Sequence, residues 1–174
     1  MQYYRFECIG SAGYANIRDR MHGILYRSMI RRGDAFAFAR AVDEAVDNAV
    51  CFAADVDNPY VSVRLRIMMY SIAATVTAKT KAFNAFTYQR HLQHLTADPV
   101  AREMDWRAYV RQKNGTSGIW YMLIGTEYIC MDALGQSVTL LVRREYTEPI
   151  EEKSSIRMLA PRFMVKQDGV IFSL

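Results

Sequence analysis

The sequence is poor in the residues that staple or interrupt a chain, with three cysteines and four prolines among 174 residues. Cys8, Cys51 and Cys130 are odd in number and far apart, so they supply neither a CxxC pair nor a disulfide framework. Buried thiols in a reducing compartment are expected. No apolar run approaches the ~20 residues of a membrane span. Met1 to Ile9 is polar and aromatic, without the apolar stretch of a secretion signal. Basic residues do not cluster beyond Arg31-Arg32 and Arg143-Arg144. The net charge of +4 is therefore dispersed, whereas nucleic-acid binding needs a clustered basic face with aromatics to stack on. Internal repeats and low-complexity tracts are also lacking. These absences point to a cytoplasmic chain that uses neither nucleic acid nor a membrane.

What is present suits one folded domain. Apolar types make up 51% and charged types 23% of the chain, enough for a sizeable core. Ten methionines imply adaptable packing. Alternation of Tyr4, Phe6 and Cys8 with Arg5 and Glu7 predicts a strand over Tyr3 to Ile9. After a turn at Gly10 to Gly13, apolar spacing predicts a helix from Asn16 to Met29. Asp34 is placed to cap a second helix, about Ala35 to Ala53. Its apolar face is Phe38, Ala41, Val42, Ala45, Ala49 and Phe52.

Asn58-Pro59 marks a loop, and strands follow at Val61 to Ile67 and Ser71 to Val76. Helices are expected over Phe86 to Leu95, Val100 to Arg111 and Ile119 to Gly125. A hairpin then joins Glu127 to Met131 with Ser137 to Tyr146. Strands from hairpins beside helices on one face imply an α/β (α+β) fold. It is a two-layer α/β sandwich with a mixed, mostly antiparallel sheet.

The chemistry is concentrated on the second helix. Glu44 and Asn48 are four residues apart and share one face. A carboxylate and an amide together can hold a divalent metal while the carboxylate accepts a proton. Asp43 and Asp47 make a second pair one step round the helix. Taken alone, either pair also fits an acidic, solvent-facing stripe. His91 and His94, with Asp98 nearby, have helical spacing for metal ligands, though a polar helix surface is the simpler reading. Trp106, Tyr109, Trp120 and Tyr121 read as buried aromatics rather than a stacking platform.

The segment Glu44 to Ala49 resembles the N-box of the GHKL superfamily, in the EAxxNA form of the anti-sigma-factor serine kinases. That resemblance implies a Bergerat fold, with Glu44 as general base and Asn48 holding Mg²⁺ against nucleotide phosphates. Phe52 stands where the family commonly has a histidine, which would extend the apolar face. Thr75 to Asn84 is similar to the family's adenine-reading segment, VxDxGxGF, with Val76 and Phe83 matching. Ala78 stands for its aspartate, and Thr80 and Ala82 for its glycines. Loss of that acceptor costs about 1.5–3 kcal/mol, or roughly ten- to a hundredfold in affinity. Asn114 to Met122 resembles the family's glycine-rich lid end, with Gly115 and Gly118 kept before a helix whose free N–H groups would face phosphate.

The resemblance spans residues 1–146, leaving 147–174 as a C-terminal extension. In that extension Arg162 to Val165 and Val170 to Phe172 flank a hairpin signal at Gln167-Asp168-Gly169. Two functions follow. The first is an anti-sigma-factor-like regulator that binds ATP and Mg²⁺ and acts as a serine kinase on an anti-sigma antagonist. The second is a pseudo-ATPase, a protein-binding module without nucleotide. Both imply a protein partner such as a sigma factor or its antagonist, and a homodimer is compatible with either.

Overall fold

The computed structural model describes residues 1–81, 83–112, 118–145 and 154–166. Strand β1 (Gln2–Ile9) leads into helices α1 (Gly10–Ser28) and α2 (Arg32–Cys51). Strands β2 (Tyr60–Ile67) and β3 (Ser71–Ala78) precede helices α3 (Ala85–Ala97), α4 (Trp106–Gln112) and α5 (Gly118–Ile124). Strands β4 (Tyr128–Met131) and β5 (Ser137–Arg143), the short helix α6 (Ile156–Leu159) and strand β6 (Phe163–Val165) complete the described elements. The six strands form one sheet in the order β1-β2-β3-β5-β4-β6. Every pairing is antiparallel except β4 with β6. The expected two-layer sandwich with a mixed, mostly antiparallel sheet is the architecture observed.

Alternation along the strands becomes rows across the sheet, because paired residues project to the same side. Phe6, Val63, Val76, Val138, Met131 and Val165 follow one another through the paired registers, and all are buried. On the opposite face Arg5, Arg64, Thr75, Thr139 and Cys130 make the corresponding row. That row is polar and more exposed, as expected for a sheet covered on one side. Helix α2 lays Phe38, Ala41, Val42, Ala45, Val46 and Ala49 against the apolar side. Its many alanines keep the helix thin, which lets other elements approach closely.

Several local expectations shift. Helix α1 begins at Gly10, whose φ of +64° only glycine adopts without strain, so the expected turn becomes the first helical turn. Helix α2 starts at Arg32, which puts Asp34 inside the first turn instead of at the cap. Asp34 is 5% exposed and its Oδ2 has no hydrogen-bond partner. The helix expected over Val100 to Arg111 breaks in two. Asp98 accepts the backbone N–H groups of Val100 and Ala101, and Asp105 that of Ala108, so each aspartate starts a new turn. Among the thiols only Cys8 is buried; Cys51 is exposed and Cys130 intermediate, contrary to the expectation of buried thiols.

The segment from Ser154 to Lys166 is part of this layer arrangement. Ser154 Oγ donates to Asp105 Oδ2 at 2.6 Å, and Ile156 and Leu159 are fully buried. Strand β6 then pairs with β4 in parallel register, so the sheet ends on this strand of three residues instead of on β4. Arg162 donates to the carbonyls of Leu123 (3.2 Å) and Thr126 (2.8 Å), satisfying free acceptors at the end of α5. The expected partner strand Val170 to Phe172 lies outside the described residues. Among the described residues no helix is long and apolar enough to cross a membrane.

Candidate functional site

Helix α5 crosses α2 so closely that its two ends meet different parts of that helix. At Gly125, just past its C-terminus, an added Cβ would run into the Ala37 carbonyl and lie 3.0 Å from Ala41 Cβ. At Gly118, its first residue, an added Cβ would lie 3.3 Å from Asn48 Nδ2, 3.3 Å from Glu44 Oε2 and 3.5 Å from Asn48 Oδ1. The spacing of Glu44 and Asn48 on one helical face thus becomes a small polar cradle under Gly118. A side chain at 118 would fill it.

The charge on this face is graded. Burial raises the Glu44 carboxyl above its usual range, and Asp47 adds to the effect while Arg40 opposes it. Burial, followed by Asp43, likewise raises Asp47. Arg40 is one turn before Glu44, and its guanidinium stacks 3.4 Å from the centre of the Tyr121 ring on α5. Asp43 serves a different purpose. It accepts a hydrogen bond from the Tyr14 hydroxyl at 2.5 Å and contacts His22 Nε2 at 2.8 Å, tying α1 to α2. Burial and this carboxylate push the Tyr14 hydroxyl well above its usual pKa.

A carboxyl with a raised pKa stabilises the fold while protonated, and that stability disappears as pH rises through the folded value. Glu44→Gln is therefore expected to gain stability over the native chain as pH rises from 4 to 7. The gain is small, because water screens this partly exposed site. Urea melts of both proteins across that range check it. Equal midpoints at every pH would show that Glu44 bears no desolvation strain.

Beyond the cradle a cavity of about 400 Å³ opens between α2, α5 and the ends of β3 and β5. Phe52, Phe83, Ile119, Met122 and Val138 supply apolar walls, and Ala45, Ala49 and Ala78 leave room between them. Its polar side chains among the described residues are Asn48, Thr80, Lys81 and Gln136, with no carboxylate among them. Phe52 is 59% exposed and stands at the cavity wall, so it does not extend the core as expected. Gly135 has φ +70°, and a Cβ there would meet the Phe83 ring at 3.0 Å, which keeps that wall closed.

Of the residues expected in a site, Glu44, Asn48 and Gly118 come together, and Ala78 and Thr80 share the cavity that Asn48 borders. Ala82 and Gly115 lie outside the described residues. Lys81, Gln136 and Arg40 were not singled out by sequence reasoning. Gln136 comes from a turn that the sequence marks only by Gly135. Its place becomes evident through the β3–β5 pairing, in which the Gln136 carbonyl accepts the Ala78 N–H at 2.9 Å. His91 is engaged with the Tyr109 hydroxyl at 3.2 Å, and the described residues contain no group of three His, Cys, Asp or Glu able to hold a metal. Trp106 and Trp120 are buried, as expected of core aromatics.

The Glu44 carboxylate and the Asn48 amide oxygen are hard oxygen donors. Mg²⁺ commonly takes only one or two protein ligands and completes its shell with phosphate and water, so this pair fits Mg²⁺ next to phosphate. At the far end of the cavity the Ala78 methyl cannot accept a hydrogen bond from an adenine amino group, and the side chains there that can accept one are Thr80 and Gln136. No family model matches the chain, and no curated protein is significantly similar to it.

Proposed function

We propose that the chain is a cytoplasmic regulatory protein of the anti-sigma-factor type, built on a Bergerat-like ATP-binding domain. Its partner would be a sigma factor or an anti-sigma antagonist. The cradle of Glu44, Asn48 and Gly118 beside a cavity of about 400 Å³ carries this reading. Asn48 would hold Mg²⁺ against nucleotide phosphates, and the bound ion would neutralise their charge. Glu44 would accept the proton of an attacking serine hydroxyl, a task suited to a carboxylate whose proton affinity burial has raised.

The lack of an acceptor at Ala78 favours a second reading, a pseudo-ATPase that binds its partner without nucleotide. Calorimetry with Mg-ATP and Mg-ADP separates the two. Heat that saturates in the millimolar range or below, and vanishes in Asn48→Ala, supports the first. No heat with either nucleotide supports the second, as does partner binding that survives both Glu44→Ala and Asn48→Ala.

A further inference from the structure

The open side of the sheet, turned away from α2, holds charge that looks scattered along the chain. Strand pairing gathers it. Arg5 lies opposite Arg64, and Arg66 follows two residues later on the same side of β2. Arg143 stands at the end of β5. Two of these cations have partners: Arg5 pairs with Glu7, and Arg143 with Glu127 at 2.5 Å. Arg64 and Arg66 are exposed and form no ion pair among the described residues. Through the paired registers Arg66 also belongs to a row that runs Tyr3, Arg66, Ala73, Leu141, Tyr128. A tyrosine 53% exposed begins that row and one 47% exposed ends it. The two rings are set roughly 19 Å apart, four strand spacings, with the small Ala73 between them.

Two unbalanced guanidinium groups call for an anionic occupant. A second copy of this chain, packed here about a central two-fold axis, would bring the free cations together. The middle of a protein interface is usually apolar and poor in charge. The middle of this face is Arg64 with Thr75 and Thr139, whose hydroxyls bond to each other at 3.0 Å. Cations flanked by exposed aromatics on an open sheet suit a strand whose phosphates carry charge and whose bases present flat faces. We propose that this face binds single-stranded nucleic acid, with Arg64 and Arg66 meeting phosphates and Tyr3 and Tyr128 stacking bases. Along the chain Arg5 and Arg64 are far apart, which hides the cluster; in the sheet they are neighbours. The cavity at Asn48 is lined by Val76, Ala78 and Val138 from the other side of the sheet, so this inference stands independently of the proposed nucleotide site.

The test is fluorescence anisotropy of the full chain with labelled oligo(dT) and oligo(U) of about 12 nucleotides. Duplex DNA of the same length and polyglutamate serve as competitors. Binding of the single strands is expected, weakening as salt rises. Arg64→Gln with Arg66→Gln is expected to lower affinity about tenfold. The slope of log affinity against log salt should also flatten by roughly 1.4, the share of two phosphate contacts. Tyr3→Ala with Tyr128→Ala is expected to lower affinity at least about fivefold while keeping the slope. All four positions are exposed, and melting curves check that the variants fold. No binding at low salt would overturn the proposal, as would binding that either pair of changes leaves intact. Competition by duplex or polyglutamate equal to that of the unlabelled single strand would also overturn it, polyglutamate pointing to an acidic protein segment instead. The arginine pair decides the matter if the tyrosine pair does not fold.

Discussion

Gly125→Ala is expected to be the most damaging single-methyl change at the α2–α5 crossing. The new methyl would point into the Ala37 carbonyl, with the carbonyl carbon 2.9 Å away and Ala41 Cβ at 3.0 Å. Two of these three contacts are backbone of a buried helix, which cannot swing aside as a side-chain tip can. Overpacking usually costs 1–3 kcal/mol; against fixed backbone, roughly 3 kcal/mol or more is expected. For a chain of this size that lowers Tm by about 6–12 °C. Ala41→Gly should not rescue it, since the carbonyl remains. The consequence extends to function: if α5 is pushed off α2, Gly118 leaves its place over Glu44 and Asn48. Thermal melting with and without the second change checks the first claim. Unchanged stability in Gly125→Ala would mean that the two helices are not this close.

Asn48→Ala carries the largest expected effect on binding. It removes the amide that faces both the cradle and the cavity while leaving the helix intact, since alanine is the strongest helix former. A lost contact to a charged group is worth about 1.5–3 kcal/mol, so the affinity for a Mg-nucleotide should fall roughly ten- to a hundredfold. Gly118→Ala should act in the same direction by a different route. Its methyl would sit 3.3–3.5 Å from the ends of Asn48 and Glu44, flexible groups that the fold can move, so stability should change little while the cradle fills. Titrations of both variants, set beside their melting temperatures, separate loss of binding from loss of fold. Full affinity in Gly118→Ala would mean that no ligand group enters the cradle.

Much of the fold could be read along the chain because its signals are local. The alternation of Val61, Val63, Leu65 and Ile67 appears as the buried side of β2, and Phe38, Val42 and Ala49 face the core from α2. Where the physics is non-local, reading along the chain stops. Parallel pairing of Phe163–Val165 with β4 leaves no mark in either segment's own pattern. The break at Asp105 depends on a side chain competing for backbone N–H groups, a choice that apolar spacing does not record. The site divides in the same way. Glu44 and Asn48 are four residues apart and could be paired from spacing alone, and Gly118 meets them only through the α2–α5 crossing. Lys81 and Gln136 come from the ends of β3 and β5, and strand register brings them to one cavity.

The most direct measurement is a crystal structure of the protein with Mg²⁺ and a non-hydrolysable nucleoside triphosphate. Density for a metal is expected beside Asn48 Oδ1, with phosphate oxygens between it and Gly118 and the base between Phe83 and Met122. A cavity empty at millimolar nucleotide, or nucleotide held away from Asn48, would contradict the account.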